Sequence, residues 1–297
     1  MKKYNCMKTS FSEYLKRKEL THKSIASAEA SVNRFLKWTQ KENLQPEQIT
    51  YQDLLLWMKH CQKNGTSQRT IQQYLCMIKH YYDHLIEQKK TEHNPATGIK
   101  VQGVKRKMLY HIFKPQELHA LYNNYPETTL AEKRDKIMLG LLVYQGLQVE
   151  ELARLEVTDI KLKAGQIEIP GSRTSNARTL NLEPPQYMSL HEYITDTRNK
   201  ILAASKEQTT KLIVSQRSGK HFGNLIQELL RKLRTKNKQV KNVQQIRASV
   251  IVKWLKQYNL RQVQYLAGHR YISSTEAYQQ NEMEGLSEEV NQFHPLG

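Results

Sequence analysis

The sequence has few cysteines and no long apolar run. Only three of its 297 residues are cysteines, Cys6, Cys61 and Cys76, and they form no close pair. This argues against a disulfide framework and a zinc site, and it suits a reducing compartment. The longest apolar stretch, 137–144, is far shorter than the ~18 residues of a membrane span. Since the basic N-terminus also lacks an apolar signal-peptide core, we expect a cytoplasmic protein with no membrane partner.

Acidic residues are scarce relative to basic ones. The chain has 28 Asp and Glu against 46 Lys and Arg, a formal net charge of +18 and a pI near 9.6. Such an excess predicts a polyanionic partner, for which nucleic acid is the usual candidate and an anionic membrane surface is the rival. The first 110 residues hold 20 of the basic residues and 9 of the acidic ones. We therefore expect the first third of the chain to grip DNA.

Residues 8–88 show helical spacing and no strand pattern. Apolar residues recur every three or four positions, most clearly between Ile71 and Leu85, and the pattern predicts four helices. We interpret 1–88 as a small helical DNA-binding domain. Its fourth helix starts after a glycine, and residues at that start could enter a major groove. These candidates are Ser67, Arg69 and Thr70.

Residues 89–113 read as a basic interdomain linker. Lysines and arginines alternate there with two glycines and an Asn94-Pro95 pair, which interrupts any helix. Lys105 and Arg106 could lie across a duplex and neutralise phosphates. A plain solvated tether is an equally good interpretation of any one of these lysines.

Residues 114–297 mix helices with a few short strands. Pro115 can open a helix, and further helices are predicted near 150–155, 187–203, 222–233 and 243–255. Short antiparallel strands are predicted from Ile160, Ile167, Ile169, Leu180 and Leu182. The basic run beginning at residue 231 adds three candidates for contacts with a DNA backbone. They are Arg231, Lys232 and Arg234.

A tight corner near the C-terminus pairs an imidazole with a tyrosine hydroxyl. A short apolar helix is predicted to end at Gly268, because glycine stops helices, and His269 follows it. Ser273 and Ser274 can cap a second helix that carries Tyr278. Most tyrosines bury the ring and leave the hydroxyl wet, so the corner alone does not identify a nucleophile.

Four patches in order resemble the tyrosine site-specific recombinases, the phage-integrase and Xer-type family. The first, 146–152, reads Gly-Leu-Gln-Val-Glu-Glu-Leu where the family has Gly-Leu-Arg-Ile-Ser-Glu-Leu. The second is the hairpin at 171–178, where the family carries a catalytic lysine. The third, 244–247, is similar to the His-x-x-Arg box, and the fourth runs from Gly268 to Tyr278. Each patch is weak alone, but four in order over a matching length are specific.

Three positions depart from the family pattern. Gln148 stands in place of the first arginine, Arg173 falls near the lysine, and Gln244 replaces the histidine, whereas Arg247, His269 and Tyr278 match. Arginine is a poor general acid because its pKa is about 12 or more, but Arg173 could supply the positive charge that Gln148 lacks. Two other arginines could also do so. They are Arg154 and Arg178.

Two accounts of these departures stay open. In the first, the site has been rebuilt, with Arg173 contributing charge and the two glutamines acting as neutral donors. In the second, the protein has kept DNA binding and lost most of its chemistry, and it regulates or assists a related recombinase. The joint persistence of Tyr278, Arg247 and His269 favours the first account.

The resemblance implies a mainly α fold with a small antiparallel β-sheet. It implies a two-domain C-shaped DNA clamp in which 114–297 is the catalytic domain with its C-terminal tail. It also implies site-specific recombination, of the integrase or transposase type, in which Tyr278 forms a 3′-phosphotyrosyl intermediate. Arginines and other fixed donors would stabilise the phosphate, and neither a metal nor another cofactor is expected.

The resemblance also implies partners. They are double-stranded DNA recombination sites, further copies of the chain, and an accessory DNA-bending protein or a sister recombinase. The chain would form a homotetramer on DNA and would be a monomer or weak oligomer without it. The tail could dock on a neighbouring subunit or pack on its own domain. Its apolar residues are Leu286, Val290 and Phe293. A mobile-element enzyme at the bacterial nucleoid is the role we expect.

Overall fold

The computed structural model describes residues 10–103, 111–205, 208–215 and 221–279. The chain divides into two compact units, Met1–Arg106 and Lys107–Gly297. The predicted C-terminal tail and the linker residues Lys105 and Arg106 lie outside the described residues. No helix within the described ranges is both long and apolar enough to cross a membrane.

Within residues 10–103, the first unit is a bundle of four α-helices, as predicted. They are α1 (Phe11–Arg17), α2 (His22–Lys41), α3 (Tyr51–Lys63) and α4 (Gln68–Glu87), with a 3₁₀ turn at Pro46–Gln48. Each helix starts where a hydroxyl accepts a hydrogen bond from a first-turn N–H group, which satisfies one otherwise unpaired donor. The capping residues are Ser10, Thr21, Thr50 and Ser67.

Aromatic side chains fill the core of this unit. The rings of Phe35 from α2 and Trp57 from α3 pack edge to face with their centroids 5.5 Å apart, and Tyr82 from α4 is fully buried beside them. The Tyr82 hydroxyl donates to the Pro46 carbonyl at 2.8 Å. Burial of such rings contributes on the order of 2 kcal/mol each, which holds the four helices together.

Much of the predicted linker is packed. Ala96 is buried in the core of the first unit, and Asn94 Nδ2 donates to Lys79 O at 2.9 Å and to Asp83 Oδ1 at 2.7 Å. Phe113 is 2 % exposed in the core of the second unit. The described residues at both ends of the linker are therefore fixed to a domain, and they are not a free tether.

The second unit is built around a helix that is buried on most sides. This helix is α6 (Leu130–Tyr144), in which every residue from Arg134 to Tyr144 is buried. The helices that pack against it include α5 (Pro115–Asn123), α10 (Phe222–Lys236) and α11 (Val243–Leu255). This unit also contains α7 (Val149–Arg154) and α12 (Leu260–Ala267).

The predicted helix at 187–203 is interrupted. It starts earlier, as α8 (Pro184–Glu192), passes through a π-helical turn at Tyr193–Thr197 and continues as α9 (Arg198–Ser205). The Tyr193 hydroxyl donates to Leu212 O at 3.0 Å, and Arg198 Nε donates to Lys211 O at 2.9 Å. These two bonds tie the turn and the start of α9 to the segment that follows, which local periodicity does not reveal.

Three short antiparallel strands form the predicted sheet. They are β1 (Ile160–Lys161), β2 (Gln166–Ile169) and β3 (Arg178–Asn181), in that order across the sheet. Ile167 pairs with Leu180 and Ile169 pairs with Arg178, so that the buried side chains of β2 and β3 share one face. Leu182 lies just after β3. We name the connection between β2 and β3, residues 170–177, the hairpin loop.

Candidate active site

The corner that carries the tyrosine requires glycine at its turn. Gly268 ends α12 with φ +66°, a left-handed conformation that L side chains rarely adopt. A Cβ there would also lie 2.3 Å from Arg178 Nη1, closer than any side chain tolerates. Residues 273–279 are helical and carry Tyr278. Ser273 and Ser274 lie inside this segment, so the expectation that they cap it is wrong.

Gln244 and His269 both contact the predicted nucleophile, Tyr278. Gln244 Nε2 donates to the Tyr278 hydroxyl at 2.9 Å. The His269 ring stacks on the Tyr278 ring, with centroids 5.8 Å apart and planes within 11°. His269 Nδ1 shares a hydrogen bond of 2.9 Å with Thr275 Oγ1, which is fully buried. The tyrosine is therefore held by an amide donor on one helix and an aligned imidazole on the corner.

The imidazole of His269 is neutral at physiological pH. Burial, together with the nearby charges of Arg247 and Arg178, lowers the pKa of His269 from 6.5 to about 4, while the charge of Glu151 opposes this shift. A neutral ring can donate one hydrogen bond and accept another, and it adds no charge to the site. It is suited to orienting the tyrosine and the reacting oxygens.

Arg247 is a buried cation beside the tyrosine. It is 2 % exposed, and its guanidinium donates to Gly146 O and, at 2.7 Å, to Ala267 O. Burial lowers the pKa of Arg247, and the charge of Glu151 and a hydrogen bond with Tyr278 raise it. These contacts fix Arg247 to both the first patch and the corner.

A second buried arginine supports the site from behind. Arg178 binds Glu151 through both its terminal nitrogens, at 2.7 and 3.0 Å, and donates from Nε to Leu266 O at 2.8 Å. Burial raises the pKa of Glu151, but the hydrogen bonds and charge of Arg178 overcome it and hold the pKa below its usual range. Glu151 Oε2 lies 3.9 Å from Arg247 Nη1. Two arginines around one carboxylate leave a net positive charge under the tyrosine.

A cleft of about 280 Å³ opens in front of Arg247. Gln148 and Gln244 line it together with Glu150, and α10 forms its far wall. Gln148 lies at the start of α7, where its N–H donates to Glu151 Oε2 at 2.9 Å. Two of the three positions at which the sequence departs from the family thus face the same cleft as Arg247, and this cleft could receive a phosphate.

The remaining arginine candidates lie at different places. Arg173 is exposed on the hairpin loop, and its carbonyl accepts from Arg270 Nη1 at 2.6 Å. Arg154 Nε donates to Glu150 O at 3.2 Å, one turn earlier in its own helix. Arg178 is fully buried in its pair with Glu151, so of these three only Arg173 and Arg154 can approach a DNA phosphate.

The predicted DNA-binding residues have varied surroundings. Ser67 Oγ lies 2.8 Å from Thr70 Oγ1 at the start of α4, and Arg69 is exposed beside them. Arg231 is exposed on α10, whereas Lys232 Nζ lies 2.8 Å from the buried carboxylate of Asp135. Arg234 donates to the carbonyls of Val240 and Lys241. Lys232 and Arg234 thus have structural partners, and contacts of all these residues with DNA stay predictions.

Sequence reasoning assigned no role to four residues that complete the site. Glu151 and Thr275 belong to the quoted patches, so their positions carried a signal. Arg270 and Asn176 also lie in quoted patches, but nothing in the local sequence marks the contacts that they make across the corner.

Family profiles match both units. The profile described as the phage integrase family covers residues 111–284, and that of the phage integrase N-terminal SAM-like domain covers residues 9–89. A tyrosine recombinase XerC of Bacillus subtilis (strain 168) is 24% identical over 290 residues, which are 96% of this chain and 95% of that protein.

Solved structures share the fold. The Tn1549 transposon integrase in complex with a circular intermediate DNA matches with a TM-score of 0.67 at 15% identity, over 93% of this chain and 99% of that one. A lambda integrase tetramer bound to a Holliday junction matches with a TM-score of 0.64 at 14% identity, over 90% and 74%. With its first unit helical and its second unit carrying the corner, cleft and hairpin, the chain belongs to the phage integrase family of tyrosine recombinases.

Proposed function

We propose that this protein carries out site-specific DNA recombination with Tyr278 as its nucleophile. One observation carries the proposal: the Tyr278 hydroxyl accepts a hydrogen bond from Gln244, next to buried Arg247 and the stacked ring of His269. The tyrosine thus contacts Gln244 and lies beside Arg247, and these two residues line the cleft. Fixed donors of this kind stabilise the charge that builds on a phosphate in the transition state.

The reaction exchanges one phosphodiester bond for another. The Tyr278 hydroxyl loses its proton as its oxygen attacks the scissile phosphorus and forms a 3′-phosphotyrosyl bond. The bond between phosphorus and the 5′-oxygen breaks, and the leaving 5′-oxygen takes up a proton to become a 5′-hydroxyl. The 5′-hydroxyl of a second strand then attacks the phosphotyrosyl bond, which rejoins the DNA and releases the tyrosine. Because the bond energy is kept in the intermediate, the exchange needs no nucleotide cofactor.

The residues of the cleft have distinct roles in this proposal. Arg247 supplies the charge that meets the phosphate oxygens, and Gln148 and Gln244 are neutral donors on either side. Arg173 on the hairpin loop adds the positive charge that Gln148 lacks. An arginine suits this role because its planar fork can bind two phosphate oxygens at once.

The proposed partners are two double-stranded DNA sites and three further copies of the chain. The lambda integrase structure, a tetramer on a Holliday junction, shows that a chain of this fold assembles in that way. The formal charge of +18 favours DNA as the partner. We place the reaction at the bacterial nucleoid in the cytoplasm, in the movement of a mobile element, with an accessory DNA-bending protein or a sister recombinase as a possible requirement.

Capture of covalent protein–DNA adducts in cells tests this function. The protein and its Tyr278→Phe variant are each isolated under denaturing conditions, and the attached DNA is sequenced. We expect adducts that share a sequence and vanish in the variant, because only the hydroxyl differs. Sequence-specific binding of the native protein without adducts would instead identify a regulator that has lost the chemistry.

A further inference from the structure

Main-chain bonds fasten the base of the hairpin loop to the corner. Ser175 and His269 form an antiparallel bridge, and the Asn176 N–H donates to Gly268 O at 3.0 Å. Asn176 Nδ2 also donates to His269 O at 3.4 Å. The bridge and the bond from the Asn176 N–H are main-chain contacts, so the base of the loop is held even without a side-chain contact.

The tip of the loop is held in another way. Ser172 Oγ accepts hydrogen bonds from the N–H groups of Thr174 and Ser175, at 3.1 and 3.0 Å, which closes the tip on itself. Across the corner, Arg270 Nη1 donates to the carbonyl oxygen of Arg173 at 2.6 Å. This bond acts on the backbone of Arg173, from which the Arg173 side chain extends.

We propose that Arg270 is a positioning residue for Arg173, an inference that rests on the proposed function. Its guanidinium holds the tip of the hairpin loop against the corner and so presents Arg173 to the phosphate that Tyr278 attacks. A hydrogen bond from a charged donor is stronger than a neutral one, so a single bond suffices for this small turn. Because Arg270 directly follows His269, the same corner positions the imidazole ring and, through Arg270, the tip of the hairpin loop.

Removal of Arg270 leaves the fold in place. The bridge at Ser175, the bonds of Asn176 and the buried pair of Arg178 with Glu151 do not involve it. Only the tip loses a contact to the corner. A transition-state donor misplaced by about 1 Å can cost on the order of 100-fold in rate, so loosening the tip is expected to affect the chemistry more than the binding.

Single-turnover cleavage measures this effect. The full-length protein is held in excess over a nicked duplex that carries the site recovered with the covalent adducts. We expect Arg270→Ala to lower the cleavage rate by about 10- to 100-fold. The control is Arg261→Ala, which removes an exposed arginine from α12 whose Nη1 donates to Gln264 Oε1 at 3.1 Å. Both variants are expected to bind the duplex with the same affinity.

A double variant separates positioning from direct phosphate contact. If Arg270 acts through Arg173, then Arg270→Ala produces no further loss in an Arg173→Ala background. Arg270→Lys, which can still donate to the carbonyl, is expected to retain part of the rate. Amide hydrogen exchange across 170–177 is expected to be faster in Arg270→Ala than in Arg261→Ala.

Four outcomes overturn the proposal. Additive losses in the double variant would show that Arg270 contacts the DNA on its own account. An unchanged cleavage rate or unchanged amide exchange in Arg270→Ala would show that the bond from Arg270 to the Arg173 carbonyl positions nothing. In that case the proposed function still holds if the unmodified protein forms Tyr278-dependent adducts. If the unmodified protein forms no such adducts, both proposals fail.

Discussion

At the scale of single residues, Gln244 gives the tyrosine a donor that does not titrate. Its amide nitrogen lies 2.9 Å from the Tyr278 oxygen, so it can stabilise negative charge on that oxygen or on a phosphate beside it. An imidazole at this position would change charge near neutral pH, whereas an amide keeps the same hydrogen-bonding character throughout. Glutamine at position 244, where the family pattern has a histidine, therefore removes a pH-dependent charge from the site and keeps a hydrogen-bond donor.

Gln244→Ala tests this role. We expect the single-turnover cleavage rate to fall by about 100-fold, the usual cost of one lost transition-state donor, with little change in DNA affinity. Gln227→Ala serves as the control, because Gln227 lines the same cleft from α10 without a role in our account. Equal rates for the two variants would remove Gln244 from the mechanism.

His269 makes the stability of the protein depend on pH. The pKa of His269 is about 4 in the folded protein and 6.5 in the unfolded chain. Between these pH values the unfolded chain therefore binds more protons than the folded protein. The free energy of unfolding therefore has its full His269 contribution above about pH 6.5, and it loses that contribution as the pH falls towards 4.

Urea unfolding of the full chain at several pH values checks this dependence. We expect the free energy of unfolding to fall between pH 6.5 and 4.5 more steeply in the unmodified protein than in His269→Gln, which has nothing to titrate there. Parallel curves for the two proteins would contradict a neutral, buried imidazole at this position.

Sequence patterns predicted which side chains meet at the candidate site but not the residues that support them. Tyr278, Gln244 and His269 were predicted from ordered motifs, and the structure brings them into contact. Lys232 was predicted to contact DNA, yet its ammonium lies against Asp135, 97 positions away in the sequence. A pairing over that distance leaves no periodic or compositional trace, so only the fold reveals it.

At the scale of elements, the end of α12 and the sheet interlock at Gly268. The Arg178 guanidinium from β3 occupies the space that a side chain at 268 would need. That guanidinium also binds Glu151, which lies in the first patch. One glycine thus permits the contact between three segments that are distant in sequence.

Two glycine substitutions separate backbone strain from this contact. Gly165 and Gly268 both have left-handed backbones, with φ of +64° and +66°, but only Gly268 has a neighbour within 4 Å of the added Cβ. We expect Gly165→Ala to lower the free energy of unfolding by about 1 kcal/mol. Gly268→Ala is expected to cost on the order of 3 kcal/mol more, because Arg178 must leave Glu151. Equal losses in urea unfolding would contradict the interlock.

Helices were easier to predict than the loops that join them. The predicted range 243–255 is the observed α11, because apolar spacing and the cap at Asn242 are local signals. The π-helical turn within 187–203 was not predicted, since contacts of Tyr193 and Arg198 with a later segment accompany it. The hairpin loop likewise takes its position from the corner, nearly a hundred residues later.

At the scale of the whole molecule, composition and length predicted the broad organisation. An excess of basic residues, a helical first part and a mixed second part agree with the two observed units. The predicted boundaries, 1–88 and 114–297, stay predictions, and the packing of Ala96 and Phe113 shows that side chains of the linker belong to the units themselves. Apolar residues isolated among basic ones do not form a pattern that reveals such packing.

The reaction proposed for this protein passes through a 3′-phosphotyrosyl bond at Tyr278, and mass spectrometry can identify that bond. Adducts trapped under denaturing conditions are digested with nuclease and protease, and the peptide that retains a nucleotide is fragmented. We predict a 3′-phosphonucleotide on the oxygen of Tyr278. A nucleotide on any other residue, or no nucleotide although the native protein protects a specific DNA sequence, would contradict our account of this active site.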